Sequence, residues 1–248
     1  MRAFLSPAKQ MRPYNRPDAP LRSPRFAADA AQLAEHLRQL APWQLESLMK
    51  ISPKLGLQAF SLYQEFGVER PLAPALFAYV GLQYRYLAPE DFTGEELAFA
   101  DACLRIGSGL YGLLAPCDGV APYRLEMGCK LPVGASRDLY AHWGDRLAKA
   151  LFEGGEPVLN LASGEYARAI APHLGGREEW ITCRFLVRRG RELKCLPTEA
   201  KMARGRMARY LVKHRLTDPR AVRDFCEDGY QFLPQLSGER TYTFAKGL

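Results

Sequence analysis

No stretch of this 248-residue chain approaches the roughly 18–20 consecutive apolar residues of a membrane-spanning helix. The opening segment MRAFLSPAKQMR offers only Ala3, Phe4 and Leu5 as an apolar run, far short of a signal-peptide core, so a cytoplasmic protein is expected. The six cysteines form no C-x-x-C pair, and the four histidines stand at no ligand spacing to them. Zinc and other bound metals are therefore not expected, and the thiols read as reduced and mostly buried. Also missing are a P-loop, a G-x-G-x-x-G turn, a G-x-S-x-G elbow and an H-E-x-x-H helix, and GSGLYG (107–112) matches none of these fingerprints. No repeat and no low-complexity linker divides the chain, which excludes solenoids and beads on a string.

What is present is an ordinary globular composition, 48% hydrophobic and 25% charged. The spacing predicts a first strand over 2–5, then an irregular proline-rich segment over 10–25. Helices are expected over 29–40, from Leu33, Leu37 and Leu40, and over 42–50 and 54–66. The aromatic run ALFAYVGLQYRYL, between Pro71 and Pro89, favours a strand or strand pair. A helix begins at Thr93 or Gly94, and Ser136 is placed to cap another over 137–152. PVLNLAS (157–163) reads as a short buried strand, and EWITCRFLVRRGRELKCLP as a hairpin turning at Arg189 and Gly190. A basic helix follows from about Thr198 to Arg215, and Asp218–Pro219 opens a last helix before short strands near 230–233 and 242–245. Strands and helices alternate without a strict βαβ rhythm. The expected fold is mixed α/β (α+β), one domain over 1–248 with a single mixed sheet surrounded by helices.

The formal charge of +7 is not spread evenly. Between Arg184 and Arg215 eleven basic residues face only Glu192 and Glu199, a local charge of +9 against −2 for the remainder. Such a block is the footprint of a polyanion partner, or else a solvated basic surface. On the helix after Thr198, rotation at about 100° per residue groups Arg206, Arg209 and Lys213 on one face and Lys201, Arg204 and Arg215 on another. Ala203, Met207 and Leu211 form an apolar stripe between them.

Three short segments carry candidate chemistry. LMKISPKLGL (48–57) places a hydrophobic residue, a proline at a helix start and Lys54 between two amphipathic runs. A helix-hairpin-helix turn uses this arrangement to point backbone amides at a DNA phosphate. Its two customary glycines are replaced here by Lys50 and Ser52, and Ser52 also suits an ordinary N-cap. SPAK (6–9) ends the first strand, where Lys9 can bind phosphate or, desolvated, act as an amine nucleophile. In APYRLEMG (121–128), alternation can put Arg124 and Glu126 on one strand face, as a guanidinium clamp with an acid–base carboxylate or as an internal ion pair.

These segments, together with SGLYGLLAPCDGVAPYRLEMG (108–128), LYAHWGD (139–145), LNLASGEY (159–166) and AKMARGRMARYLV (200–212), resemble the bacterial YaaA peroxide-stress-response family. The resemblance implies a cytosolic single-domain α/β protein that helps cells survive hydrogen peroxide by limiting free iron and the DNA damage it causes. It implies a positively charged cleft and a helix-hairpin-helix element over 42–66 that bind double-stranded DNA, bent or damaged, as a monomer without a cofactor. Ser52 and Lys54 would then touch phosphates, with Lys9, Arg124, Lys201, Arg204 and Arg206 lining the cleft and Arg209 beside them. The alternative is an enzyme acting on damaged DNA or a nucleotide, with Lys9 as nucleophile and Glu126 as acid or base. Direct iron binding finds no carboxylate–histidine cluster to support it.

Overall fold

Residues 1–67 and 72–248 are described in this computed structural model. The chain opens with β1 (Arg2–Leu5) and the two-residue β2 (Gln10–Met11), then forms α1 (Ala27–Arg38), α2 (Pro42–Met49) and α3 (Pro53–Gln64). Next come β3 (Ala73–Pro74), α4 (Ala75–Ala78), β4 (Tyr79–Val80), α5 (Leu82–Leu87) and α6 (Gly94–Cys103). The strands β5 (Leu104–Ser108), β6 (Gly112–Leu114) and β7 (Gly119–Val120) precede α7 (Leu139–Trp143) and α8 (Arg146–Phe152). The rest comprises β8 (Val158–Leu161), α9 (Gly164–Ala167), β9 (Trp180–Arg189), β10 (Glu192–Lys194), α10 (Pro197–Lys213), β11 (Gln231–Phe232) and β12 (Thr241–Lys246).

The main sheet runs β11-β12-β9-β8-β1-β5-β6, with β10 added to β9. Strands β12, β9, β8, β1 and β5 are parallel, and β11, β10 and β6 run against their neighbours. This is the expected mixed sheet surrounded by helices. β1 lies inside it, with Leu5 in register with Ile106 of β5 on one side and Leu161 of β8 on the other. Every residue of β8 is buried, the pattern of a parallel strand covered on both faces. One contiguous apolar core runs from Ala3 to Phe244 and takes in Leu45, Met49, Ala59 and Tyr63 of the α2–α3 hairpin. Among the described residues no helix is long and apolar enough to cross a membrane.

Two expectations about local structure are corrected. The run 73–87 is mainly helical, α4 and α5 separated by the short β4, rather than a strand pair; Pro71 itself lies outside the described residues. Packing overrides the strand propensity of its aromatics. α10 crosses α5 so closely that a Cβ on Gly205 would sit 2.1 Å from the carbonyl oxygen of Gln83. The helix expected over 137–152 is two helices. Asp138 caps α7, accepting from the Ala141 N–H at 2.9 Å, and Gly144 at φ +52° breaks the run before α8. Ser136 instead bridges to Val133. Elsewhere local chemistry decides: Thr93 and Glu96 form a reciprocal capping box at the start of α6.

Candidate functional site

A cavity of about 350 Å³ opens beyond the carboxyl ends of β1 and β8. From β1 the chain builds β5 and β6 on one side and then crosses to build β8, β9 and β12 on the other, so this is a reversal point of the sheet, where α/β folds hold ligands. Its lining comes from residues 6–10, 80–84 and 123–126, with Ser163, Glu165, Tyr166, Lys201 and Arg204. The SPAK loop is pinned to the floor. The Ser163 N–H donates to Ser6 Oγ at 2.8 Å, and the Tyr84 hydroxyl donates to the Ser6 carbonyl at 2.9 Å.

Lys9, Arg124, Glu126, Lys201 and Arg204 all come to this cavity, from three separate parts of the sequence. Lys9 Nζ lies 2.8 Å from Glu126 Oε2, the ammonium 64% exposed and the carboxylate 26%. The internal Arg124–Glu126 pair is thereby excluded, because Glu126 is engaged by Lys9 and residues 121–126 form no strand. Arg124 has a buried Nε without a hydrogen-bond partner, while its carbonyl accepts from the Tyr63 hydroxyl at 2.6 Å. Arg204 likewise has a buried, unpartnered Nε. Burial lowers its pKa, opposed only by the thiols of Cys195 and Cys183. Lys201 is exposed.

Beneath the cavity lies a tyrosine network. Tyr123 Oη sits 2.8 Å from Tyr79 Oη and 2.7 Å from Ser108 Oγ. Burial raises the Tyr123 hydroxyl to about 12 and also raises those of Tyr79, Tyr84 and Tyr166 well above the usual range, so these groups stay neutral near pH 7. Glu165 accepts from the Gly128 N–H at 2.9 Å, which fixes the loop after Glu126. Sequence reasoning singled out none of Gln83, Tyr84, Glu165 and Tyr166, whereas Tyr123 stands beside Arg124 and Glu126 in a segment already read as a candidate pocket. Tyr84 and Tyr166 fall inside the quoted segments, but nothing local marks them as lining residues.

Arg206 and Arg209 do not line the cavity. Arg206 stacks on the Tyr86 ring at 4.2 Å and meets Asp228 at 3.1 Å. Arg209 donates to the carbonyls of Leu87 and Ala88 at 3.3 and 3.0 Å and meets Asp91 at 3.1 Å. Lys213 and Arg215 pair with Glu96 and Glu95. Four cations of the basic block are thus offset in space, three by acids that lie more than a hundred residues upstream and Arg206 by Asp228.

The α2–α3 turn forms a second candidate surface. Lys50 ends α2 at φ +52°, the conformation for which glycine is favoured, and its N–H reaches the Glu46 carbonyl. Ser52 is extended (ψ 158°) but makes no side-chain capping bond, and Pro53 opens α3. Gly56 lets the helices cross closely, since a Cβ there would lie 2.3 Å from Glu46 Cγ. Lys50, Ser52 and Lys54 are exposed at the tip. Among the described residues no group of His, Cys, Asp and Glu could hold a metal ion. Four of the six cysteines are buried, and burial raises Cys103 and Cys117 to about 12 and Cys129 to about 11.

A family described as peroxide stress protein YaaA matches residues 1–236 of the chain. Relatives include a UPF0246 protein of Lactiplantibacillus plantarum, 40% identical over 244 residues and 98% of each chain. A UPF0246 protein of Lacticaseibacillus casei is 41% identical over 238 residues, covering 96% of each chain. One of Clostridioides difficile is 36% identical over 243 residues, again 98% of each chain. With a match this long and relatives of equal length, the chain belongs to the peroxide stress protein YaaA (UPF0246) family.

Proposed function

We propose that the protein binds duplex DNA during peroxide stress, through phosphates and largely without sequence preference, and so limits iron-driven oxidative damage to it. The observation that carries this reading is the α2–α3 turn. Lys50 adopts the left-handed conformation that a helix-hairpin-helix turn demands, Pro53 occupies the first helical position, and Lys50 and Lys54 stand exposed around the first amides of α3. A phosphate there meets unpaired N–H groups, the positive end of a 12-residue helix and two ammonium groups. Lys201, exposed at the cavity mouth, adds to the positive surface.

Fluorescence anisotropy over a salt series, with a straight and a bulged duplex, tests it. Affinity is expected to fall with a log–log slope of about −0.9 per phosphate neutralised, flattened by about one unit in Lys54→Ala. Binding that ignores both salt and Lys54→Ala would overturn the reading.

The contact between Lys9 and Glu126 favours a second reading, a glycosylase or lyase acting on damaged DNA, because it sets an amine beside a carboxylate within a cavity. Borohydride trapping on an abasic-site duplex reads this directly. A covalent adduct lost in Lys9→Ala supports a Schiff base; its absence removes the lyase.

A further inference from the structure

Three donors without acceptors border the same cavity. Gln83 is 6% exposed and its Nε2 has no partner, and the Nε atoms of Arg124 and Arg204 are buried with none. A buried donor left without an acceptor is destabilising, because its desolvation is not offset by a hydrogen bond. The three belong to α5, to the segment 121–126 and to α10, so no single local distortion accounts for them. What they share is the cavity, and what they lack is an acceptor.

The charge at the lining points the same way. Glu126 is engaged by Lys9 and Glu165 by the Gly128 N–H, which leaves the guanidinium groups of Arg124 and Arg204 and the Lys201 ammonium for a ligand. Most of the remaining wall is apolar or aromatic, with Val80, Leu82, Leu125 and the neutral tyrosines beside the polar Ser6, Gln10 and Ser163. A bare phosphate would leave that wall uncovered, and an uncharged ring would leave the cations unpaired.

We propose that the cavity is a nucleotide site. Arg204 and Lys201 hold the phosphate, the base lies against the apolar wall, and the Gln83 amide donates to its edge. A cavity of about 350 Å³ falls at the small end of the range for ligand sites, a size for one nucleotide rather than two. The nucleotide is either free in solution or turned out of a strand; only the second source rests on the DNA-binding reading above.

Titration calorimetry on the whole chain, with dAMP, dGMP, dCMP and dTMP against deoxyribose 5-phosphate and inorganic phosphate, tests the site. At least one nucleotide is expected to bind tenfold or more tightly than deoxyribose 5-phosphate. Gln83→Leu should remove that margin, whereas Arg204→Met should weaken nucleotide and sugar phosphate alike by about tenfold. In parallel, a duplex with 2-aminopurine in a bulge reports the strand source. An emission change in the wild type that Gln83→Leu abolishes, at unaltered anisotropy, assigns the nucleotide to the strand; calorimetric binding without it assigns a free nucleotide. Equal affinity for nucleotides and deoxyribose 5-phosphate, together with unchanged emission, overturns the proposal. Should Gln83→Leu not fold, Gln83→Glu, similar in shape with an acceptor in place of the donor, is expected to bring the tightest-bound nucleotide down to the affinity of deoxyribose 5-phosphate, and a retained margin in it would also overturn the site. Nucleotide binding that survives while duplex affinity is absent would overturn the DNA reading and leave this one standing.

Discussion

Lys50 holds a backbone conformation in which an L side chain crowds its own carbonyl, at a cost of about 1 kcal/mol. A β-branched residue there meets a larger penalty. Urea denaturation should place Lys50→Val about 1–2 kcal/mol below the wild type, with Lys50→Gly within about 1 kcal/mol of it. Equal stability of the valine and glycine variants would mean that the turn is not left-handed. His142 supplies a second test at this scale. Burial, and then the Arg146 guanidinium, lower its pKa, with Asp29 opposing. The unfolded chain therefore takes up a proton below about pH 6.5 that the folded state refuses. Stability is fully present above that pH and lost as pH falls through it. The expected result is a wild-type curve that declines more steeply below pH 6.5 than that of His142→Gln, and parallel curves would count against it.

At the scale of the element, α10 shows what a linear sequence does and does not reveal. Its extent and its apolar stripe of Ala203, Met207 and Leu211 were legible from 3.6-residue spacing, and all three are buried. The fate of its cations was not, because Asp91, Glu95 and Glu96 lie far upstream and become neighbours only when α5 and α6 pack beside it. The α2–α3 hairpin was legible because its signals are local: two amphipathic runs, a proline at a helix start, a lysine behind it. Gln83 was not, since nothing in GLQYRYL distinguishes a cavity donor from a surface amide, and the close packing of that run on Gly205 is not visible in the sequence. Two predictions belong here. Arg209→Ala leaves the Leu87 carbonyl short of a donor, while the Ala88 carbonyl keeps the Asp91 N–H, and should lower stability by about 1–3 kcal/mol without altering the salt slope of DNA binding. Gly205→Ala drives a methyl into the Gln83 carbonyl and should cost about 1–3 kcal/mol by overpacking; unchanged thermal melting would show that the helices do not cross so closely.

Across the whole molecule, the parallel strands bring the SPAK loop and Ser163 to one rim, while the α1–α3 helices extend the same apolar core. The sheet hairpin at Arg189–Gly190 and the buried strand Val158–Leu161 were readable from alternation and from an unbroken apolar run. The convergence of Lys9, Arg124, Glu126, Lys201 and Arg204 was not, because it depends on which strands lie side by side. One hydrogen bond connects the hairpin to this rim: the Tyr63 hydroxyl, on α3, donates to the carbonyl of Arg124 in the cavity wall. Removing it in Tyr63→Phe should leave each surface able to bind its own ligand, with calorimetry and anisotropy as the readouts. The bond also implies an obligation between the two surfaces. If occupying the cavity shifts Arg124, the grip of the hairpin changes by some factor, and the cavity's affinity must change by that same factor when the hairpin is occupied. Neither surface can then eavesdrop on the other without being overheard in return.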